Sequence, residues 1–279
     1  MGMIRLIDSI NNAGNTNIKI DILNDPIQVR KMMLDGTADF AILPTTMAAI
    51  LYNKGLDYRL IAIPGWGTLY LVGEDTTINS WDDIRNKRVN VMAKGMTPDV
   101  VFRYLLQKNG INPDKDITLD YSFPTHIDLA NAIAARQAKL GVIPEPLVSL
   151  VMHKNKKLHP IFDLNLEWNK QQSTSIAMTA FLGSNSILKD SPQLAEQLIS
   201  SYKNSVKWVN ENPDSAATLI VKYGILPDYQ VALQSIPRSN LNFVRANKIQ
   251  TQIDEYLKVF YDMNPDIIGG KIPDENFFY

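Results

Sequence analysis

The sequence contains no cysteine. This excludes a disulfide framework, a thiolate zinc site, an iron–sulfur cluster and a cysteine nucleophile. It also removes any redox difficulty in an oxidising compartment. Net charge is equally scarce, since 28 basic and 29 acidic side chains leave −1. A protein that neutralises phosphates needs a basic excess, so nucleic acid is not an expected partner. The histidines His126, His153 and His159 show no ligand spacing with carboxylates, and neither a metal nor another cofactor is expected. No apolar run reaches the ~18–20 residues that a membrane span needs. The chain does not open with a basic segment and an apolar stretch, so this form is expected to carry no signal peptide. Met1-Gly2 would suit myristoylation, but Leu6 stands where Ser or Thr is required. The G-x-S-x-G elbow, the P-loop and the H-E-x-x-H helix are also missing, which leaves little from which to build catalysis.

What is present is a chain of 279 residues, 45% hydrophobic and 20% charged. Those figures suit a globular protein of one large domain or two ordinary ones. Its first half alternates strand-like and helix-like segments. Asn17 to Leu23 alternates apolar and polar residues as a half-buried strand does, and Asp25-Pro26 opens a helix that Gly36 stops. Further strands are expected at Asp39–Leu43, Tyr58–Ile63, Thr68–Val72, Arg88–Met92, Ile117–Tyr121, Leu140–Ile143 and Ile176–Leu182, with helices between them. Such alternation predicts parallel sheets built from βαβ units. The last third is helical. Ser191-Pro192 caps a long helix with Leu194, Leu198, Tyr202, Val206 and Val209 on one face. A Gly-, Pro- and Asp-rich tail from Asn264 is expected to pack back through Phe277 and Phe278. The expected fold is α/β and two-lobed, with a mostly parallel sheet in each lobe and a hinged cleft between them. Lobe 1 takes residues 1–67 and 185–279, and lobe 2 takes residues 68–184.

Three runs carry a resemblance: DPIQVRKMMLDGTADFAILPTTMAAILYNKG, INSWDDIRNKRVNVMAKGMTPDVVFRYLLQKNGI and LGVIPEPLVSL. Within them lie Gly36 and Asp39 at a strand entry, the Ser80-Trp81-Asp82-Asp83 turn before a strand, a Gly loop at a helix start, and Glu145-Pro146 after a strand. In this order they resemble the substrate-binding proteins of nitrate, sulfonate, taurine and thiamine-precursor ABC importers. The resemblance implies a type II periplasmic-binding-protein fold and a small-molecule solute held without chemistry. It further implies a membrane permease as partner, a monomer, and a periplasmic or lipid-anchored location. Family members begin with a strand, whereas Met1-Gly2 stands at the loop that follows it, so the first strand of lobe 1 is expected to be absent from this chain. An enzyme of the menaquinone-biosynthesis type, with the same fold, is the alternative. A regulator's effector-sensing domain is a third reading, with no DNA-binding helix pair to support it.

In open α/β sheets ligands lie beyond the carboxyl ends of strands, where helix N-termini present free N–H groups. That rule selects Gly2, Pro44, Thr45 and Thr46 on lobe 1. On lobe 2 it selects Lys94, Gly95, Met96 and Thr97, then Ser122 and Phe123, then Pro144 and Glu145. Each has a plainer explanation. Thr45 and Thr97 cap helices whether or not they touch a ligand. Pro98 removes a donor and Asp99 already answers the helix dipole, which counts against a strong anion site. Glu145 either accepts from an amine or ring N–H or complements its own helix. Trp66, between two glycines at the crossover, either stacks on a flat solute or packs as a hinge aromatic. Lys94 suits an acidic group and Glu145 an N–H donor, which together suggest a zwitterion or a polar heterocycle.

Overall fold

The computed structural model describes residues 1–14, 18–23, 25–92, 94–123 and 125–279. The chain divides into two compact units, one made of Met1–Trp66 with Ala177–Tyr279 and the other of Gly67–Ile176. The first unit opens with α1 (Ile4–Ala13), α2 (Pro26–Leu34), β1 (Phe40–Pro44), α3 (Thr45–Asn53) and β2 (Tyr58–Gly65). The second unit follows with β3 (Leu69–Gly73), β4 (Arg88–Val91), α4 (Thr97–Lys108), β5 (Thr118–Asp120) and α5 (His126–Ala134). It ends with β6 (Leu140–Pro144), α6 (Leu147–Lys154), β7 (His159–Asp163) and α7 (Leu164–Asn169). The chain then returns to the first unit as β8 (Thr179–Ser184), α8 (Asn185–Asp190), α9 (Pro192–Glu211), α10 (Pro213–Lys222), α11 (Tyr229–Ser235), β9 (Leu241–Arg245) and α12 (Gln250–Met263).

Local chemistry explains many of these boundaries. Asp25 accepts from the Ile27 N–H at 2.8 Å, with Pro26 at the first helical position, so α2 starts where a capped helix should. Ser80 and Asp83 form a reciprocal capping box that fixes a 3-10 turn at Trp81–Ile84. The turn drives the Trp81 ring against Phe162 and Phe102, at centroid distances of 4.8 and 6.0 Å.

The sheet of the first unit runs β1-β8-β2-β9, and every ladder in it is antiparallel. The second runs β5-β4-β6-β3-β7. There β4 is parallel to both β5 and β6, while β3 is antiparallel to β6 and β7. The α/β class is as expected, but the first sheet is antiparallel and the second mixed, where mostly parallel sheets were expected. The reason is that β3 and β8, the strands that follow each crossover, enter against the direction of their neighbours. Because β8 pairs with β1 and β2, it belongs to the first unit, and the return falls at Ile176–Ala177 rather than near Gly183.

Several local expectations change. Residues 18–23 form no ladder, Ile22 and Leu23 are exposed, and Asn17 lies outside the described residues. On α9 the buried stripe is Ala195, Ile199, Tyr202, Val206 and Val209, a strict helical repeat that leaves Leu194 exposed. Strand β7 was hidden by Pro160, which a strand tolerates at the sheet edge, where β7 lies. Strand β9 and helix α7 are too short for periodicity to reveal.

The tail folds back as expected. Asn53 Nδ2 donates to the Ile268 and Lys271 carbonyls at 2.7 and 2.6 Å, and Phe277 is fully buried 5.0 Å from the Tyr52 ring. Replacing Phe277 by Ala should therefore cost about 3–5 kcal/mol in chemical denaturation. Asp8 is buried in the same unit. Its Oδ1 accepts from Lys222 Nζ and Tyr223 OH, both at 2.9 Å, and its Oδ2 from Arg5 Nη1 at 3.4 Å. The Lys222 hydrogen bond foremost, then Tyr223, holds its carboxyl below the usual 3.8 against the opposing effect of burial. A depressed carboxylate stabilises the fold above its unfolded value and ceases to as pH falls through its folded value. Asp8→Asn should thus flatten the loss of stability below pH 3.8, measured by urea unfolding across an acid series.

Candidate functional site

The parallel run β5-β4-β6 brings the carboxyl ends of three strands to one edge of the second sheet. Residues 94–97, 121–123 and 144–145 gather there. At the first loop Gly95 has φ +79, and its N–H donates to Asp99 Oδ2 at 2.7 Å. Asp99 is 2% exposed, and its Oδ1 accepts from Tyr121 OH at 2.6 Å and Arg103 Nε at 3.0 Å. Arg103 also donates to Asp114 at 2.8 Å and to Tyr121 OH at 3.2 Å. Burial opposes its charge, and the bonds to Asp114 and Tyr121 outweigh burial, so its pKa lies above the ordinary value. Burial, aided by the acceptor Asp99, pushes the Tyr121 phenol up to about 12. Lys94 is exposed, with Nζ 5.7 Å from the Tyr121 ring centroid. Met96 is exposed and Thr97 buried.

The other two loops are also turned inward. The Ser122 N–H donates to Asp120 Oδ1 at 2.8 Å and its hydroxyl donates to the same oxygen, while Phe123 packs against the cluster containing Tyr70, Leu129 and Val148. Glu145 is 6% exposed. It accepts from the Ser149 N–H at 3.2 Å and the Ser149 hydroxyl at 3.0 Å, one turn into α6. Its own N–H donates to the Thr68 carbonyl at 2.9 Å, and the peptide bond between Glu145 and Pro146 is cis. These bonds let it complement its own helix.

The first unit gathers its candidates at one sheet edge as well. Thr179 pairs with Pro44 on one side and Gly65 on the other, and Gly65 pairs with Leu241. Gly2 lies against Leu241: a Cβ there would sit 3.6 Å from its Cδ2 and 3.2 Å from Val206 Cγ2, so a larger residue fits only if the Val206 side chain gives slightly. The Gly2 carbonyl accepts from the Ser205 hydroxyl at 2.7 Å. Pro44 precedes α3 without a side-chain cap, and Thr46 is buried. Thr45 is fully buried, donates its N–H to the Met178 carbonyl at 3.2 Å, and has a hydroxyl with no partner among the described residues. Trp66 is fastened by Nε1 to the Asn242 carbonyl at 2.8 Å and by its N–H to the Asn240 carbonyl at 3.2 Å. Both bonds lie within the first unit.

Sequence reasoning did not find the link from Asp99 to Tyr121, whose only signal was an acid at the third position of a helix. It set His126, at the start of α5, aside for want of ligand spacing. Burial lowers the pKa of that imidazole to about 4, and its Nδ1 has no partner among the described residues. No His, Asp or Glu group suited to a metal occurs among the described residues, and no helix there is long and apolar enough to cross a membrane.

A family model matches residues 2–212, so the chain belongs to the family described as "ABC transporter, phosphonate, periplasmic substrate-binding protein". The binding protein YtlA of Bacillus subtilis (strain 168) is 26% identical over 156 residues, covering 56% of this chain and 45% of that protein. The chain thus spans less than half the length of that relative. Among solved structures, an ABC transporter from Parabacteroides distasonis has a TM-score of 0.85 at 24% identity, covering 100% of this chain and 95% of its own. The periplasmic aliphatic sulphonate binding protein SsuA of Escherichia coli has a TM-score of 0.78 at 14% identity, covering 100% and 88%. At those identities the two structures share the fold.

Because Glu145 holds the start of α6, its loss should be felt with or without a solute. Glu145→Ala removes the carboxylate that accepts from the buried Ser149 N–H and hydroxyl and should cost about 1–3 kcal/mol in urea unfolding of the solute-free chain.

Proposed function

We propose that the chain is the extracytoplasmic receptor of an ABC importer. It captures a small polar or anionic solute, a sulfonate, nitrate or a pyrimidine-like ring, and delivers it to a membrane permease as a monomer, periplasmic or lipid-anchored. The observation that carries this reading is the gathering of Gly2, Pro44–Thr46 and Trp66 at one sheet edge and of residues 94–97, 121–123 and 144–145 at another, in a chain of this family. No bond of the solute is made or broken. The family match favours this over the menaquinone-type enzyme.

Of the candidates, Thr45 is assigned the most direct role. A buried hydroxyl without a partner costs free energy in the empty protein, and a solute that meets it recovers that cost. Thr45→Val keeps the shape and removes the hydroxyl. The solute-free variant should melt no lower than wild type, while affinity for the bound solute falls about tenfold, the equivalent of about 1.4 kcal/mol. Equal affinity would remove Thr45 from the site. The function itself is tested by thermal shift against sulfonates, nitrate, pyrimidines and amino acids, since a ligand of the native state raises its melting temperature. At least one compound should stabilise the chain, and a blank on folded protein contradicts the proposal.

A further inference from the structure

We propose that the second unit carries a membrane-docking surface: a basic end, remote from the candidate solute loops, that rests on the phosphate headgroups of an anionic lipid bilayer. The inference goes beyond solute capture and rests on that reading only for the extracytoplasmic location.

Between Asp128 and Asp163 the only acidic residue is Glu145, against Arg136, Lys139, Lys154, Lys156 and Lys157. The fold separates the two signs. Glu145 follows the carboxyl end of β6, and all five cations fall at the opposite end of that strand. Arg136 and Lys139 lie in the turn from α5 to β6. Lys154 ends α6, and Lys156 and Lys157 lie in the turn into β7. Gly73, the last residue of β3, pairs with Leu140 on one side and His159 on the other, which sets the two turns side by side. The carboxylate beside them is Glu74, which already accepts from Arg136 Nε at 2.8 Å and Asn155 Nδ2 at 2.6 Å. Asp75 is paired with Lys87 at 3.3 Å. All five cations are exposed, and among the described residues Lys139, Lys154, Lys156 and Lys157 form no salt bridge.

The plain explanation of such cations is the negative end of a helix. It accounts for Lys154 in the last turn of α6 but not for Lys139, Lys156 and Lys157, which lie beyond any helix. Nor does it account for Arg136, which has φ +63 just past the C-cap of α5. Helices α2, α3, α4 and α10 place Gly36, Gly55, Gly110 and Gly224 at that same left-handed position, where a side chain is strained. The ion pair of Arg136 with Glu74 is largely exposed, a kind that contributes little. A strained arginine is therefore kept where glycine would serve the fold.

The chemistry suits a bilayer. A protein partner is anchored by apolar or aromatic side chains that it can bury. The apolar residues of these turns, Ala138 and Leu158, are already buried in the unit itself. What faces outward is a spread of long cationic side chains, which a plane of phosphates attracts without a pocket. Clusters of about four to eight such residues hold to anionic lipid.

The test is co-sedimentation of the full chain with vesicles of equal parts phosphatidylglycerol and phosphatidylcholine, and with vesicles of phosphatidylcholine alone. Wild type should bind the anionic vesicles, less as salt is raised, and ignore the neutral ones. Lys139→Gln, Lys156→Gln and Lys157→Gln together should weaken binding on the order of a hundredfold, about fivefold for each charge. Arg136→Gly removes a charge and the strain together. It should melt no lower than wild type yet bind about fivefold more weakly, which a purely structural arginine would not do. That variant also serves if the triple one fails to fold by circular dichroism. No binding to anionic vesicles, equal binding to neutral ones, or unchanged binding in the folded variants overturns the proposal. So does poly-glutamate that displaces the chain from the vesicles at equal charge, which assigns the surface to an acidic protein instead. If a solute stabilises the chain while anionic vesicles do not bind it, the capture reading stands and this one falls. If vesicles bind and no solute of the thermal-shift panel does, the docking surface stands and the capture reading falls.

Discussion

Strands β1 and β2 have no ladder with each other; β8 lies between them and pairs with both. The first unit therefore cannot complete its sheet until the chain has passed through the whole second unit and come back. Its edge of candidate residues depends on the same strand, because Thr179 aligns Pro44 on one side and Gly65 on the other. Contacts this distant in sequence carry a loop-closure cost that local helices do not. The α9 stripe, the tail clasp at Asn53 and the Asp8–Lys222 pair likewise join segments of the first unit that lie on either side of the second in the sequence.

A second theme is the placing of acids. Burying a carboxylate without partners is costly, so each buried one must be answered by hydrogen bonds or opposite charge. Asp8 is answered by Lys222 and Tyr223, Asp99 by Gly95, Arg103 and Tyr121, and Glu145 by Ser149. In the second unit Asp99 and Glu145 stand at helix starts. The chain shares the fold of sulfonate-binding SsuA, yet the local electrostatics at its own loops are set by its own residues.

Much of this was legible in the residues. Asp25-Pro26, the Ser80–Asp83 box and the Thr97–Gly110 helix carry local signals that survive folding, because a cap or a positive-φ glycine acts within a few residues. The candidate loops followed from strand ends. What escaped was set by partners remote in sequence. The strand-like pattern of residues 18–23 gives no ladder, and β7 and β9 are strands only through their sheet neighbours. The pairing of Asp99 with Tyr121 needs β5 beside β4, which no spacing in the sequence announces. Glu145 left two explanations open because one carboxylate serves either, and its bonds to Ser149 depend on a backbone turn that spacing alone does not announce.

The central claim is that a solute is held and released unchanged. Native mass spectrometry of the full chain with each compound that stabilises it, followed by mass analysis of what is released after prolonged incubation, tests this most directly. The account predicts one non-covalent molecule per chain, recovered at its original mass. A covalent adduct, or a released compound of different mass, would contradict it.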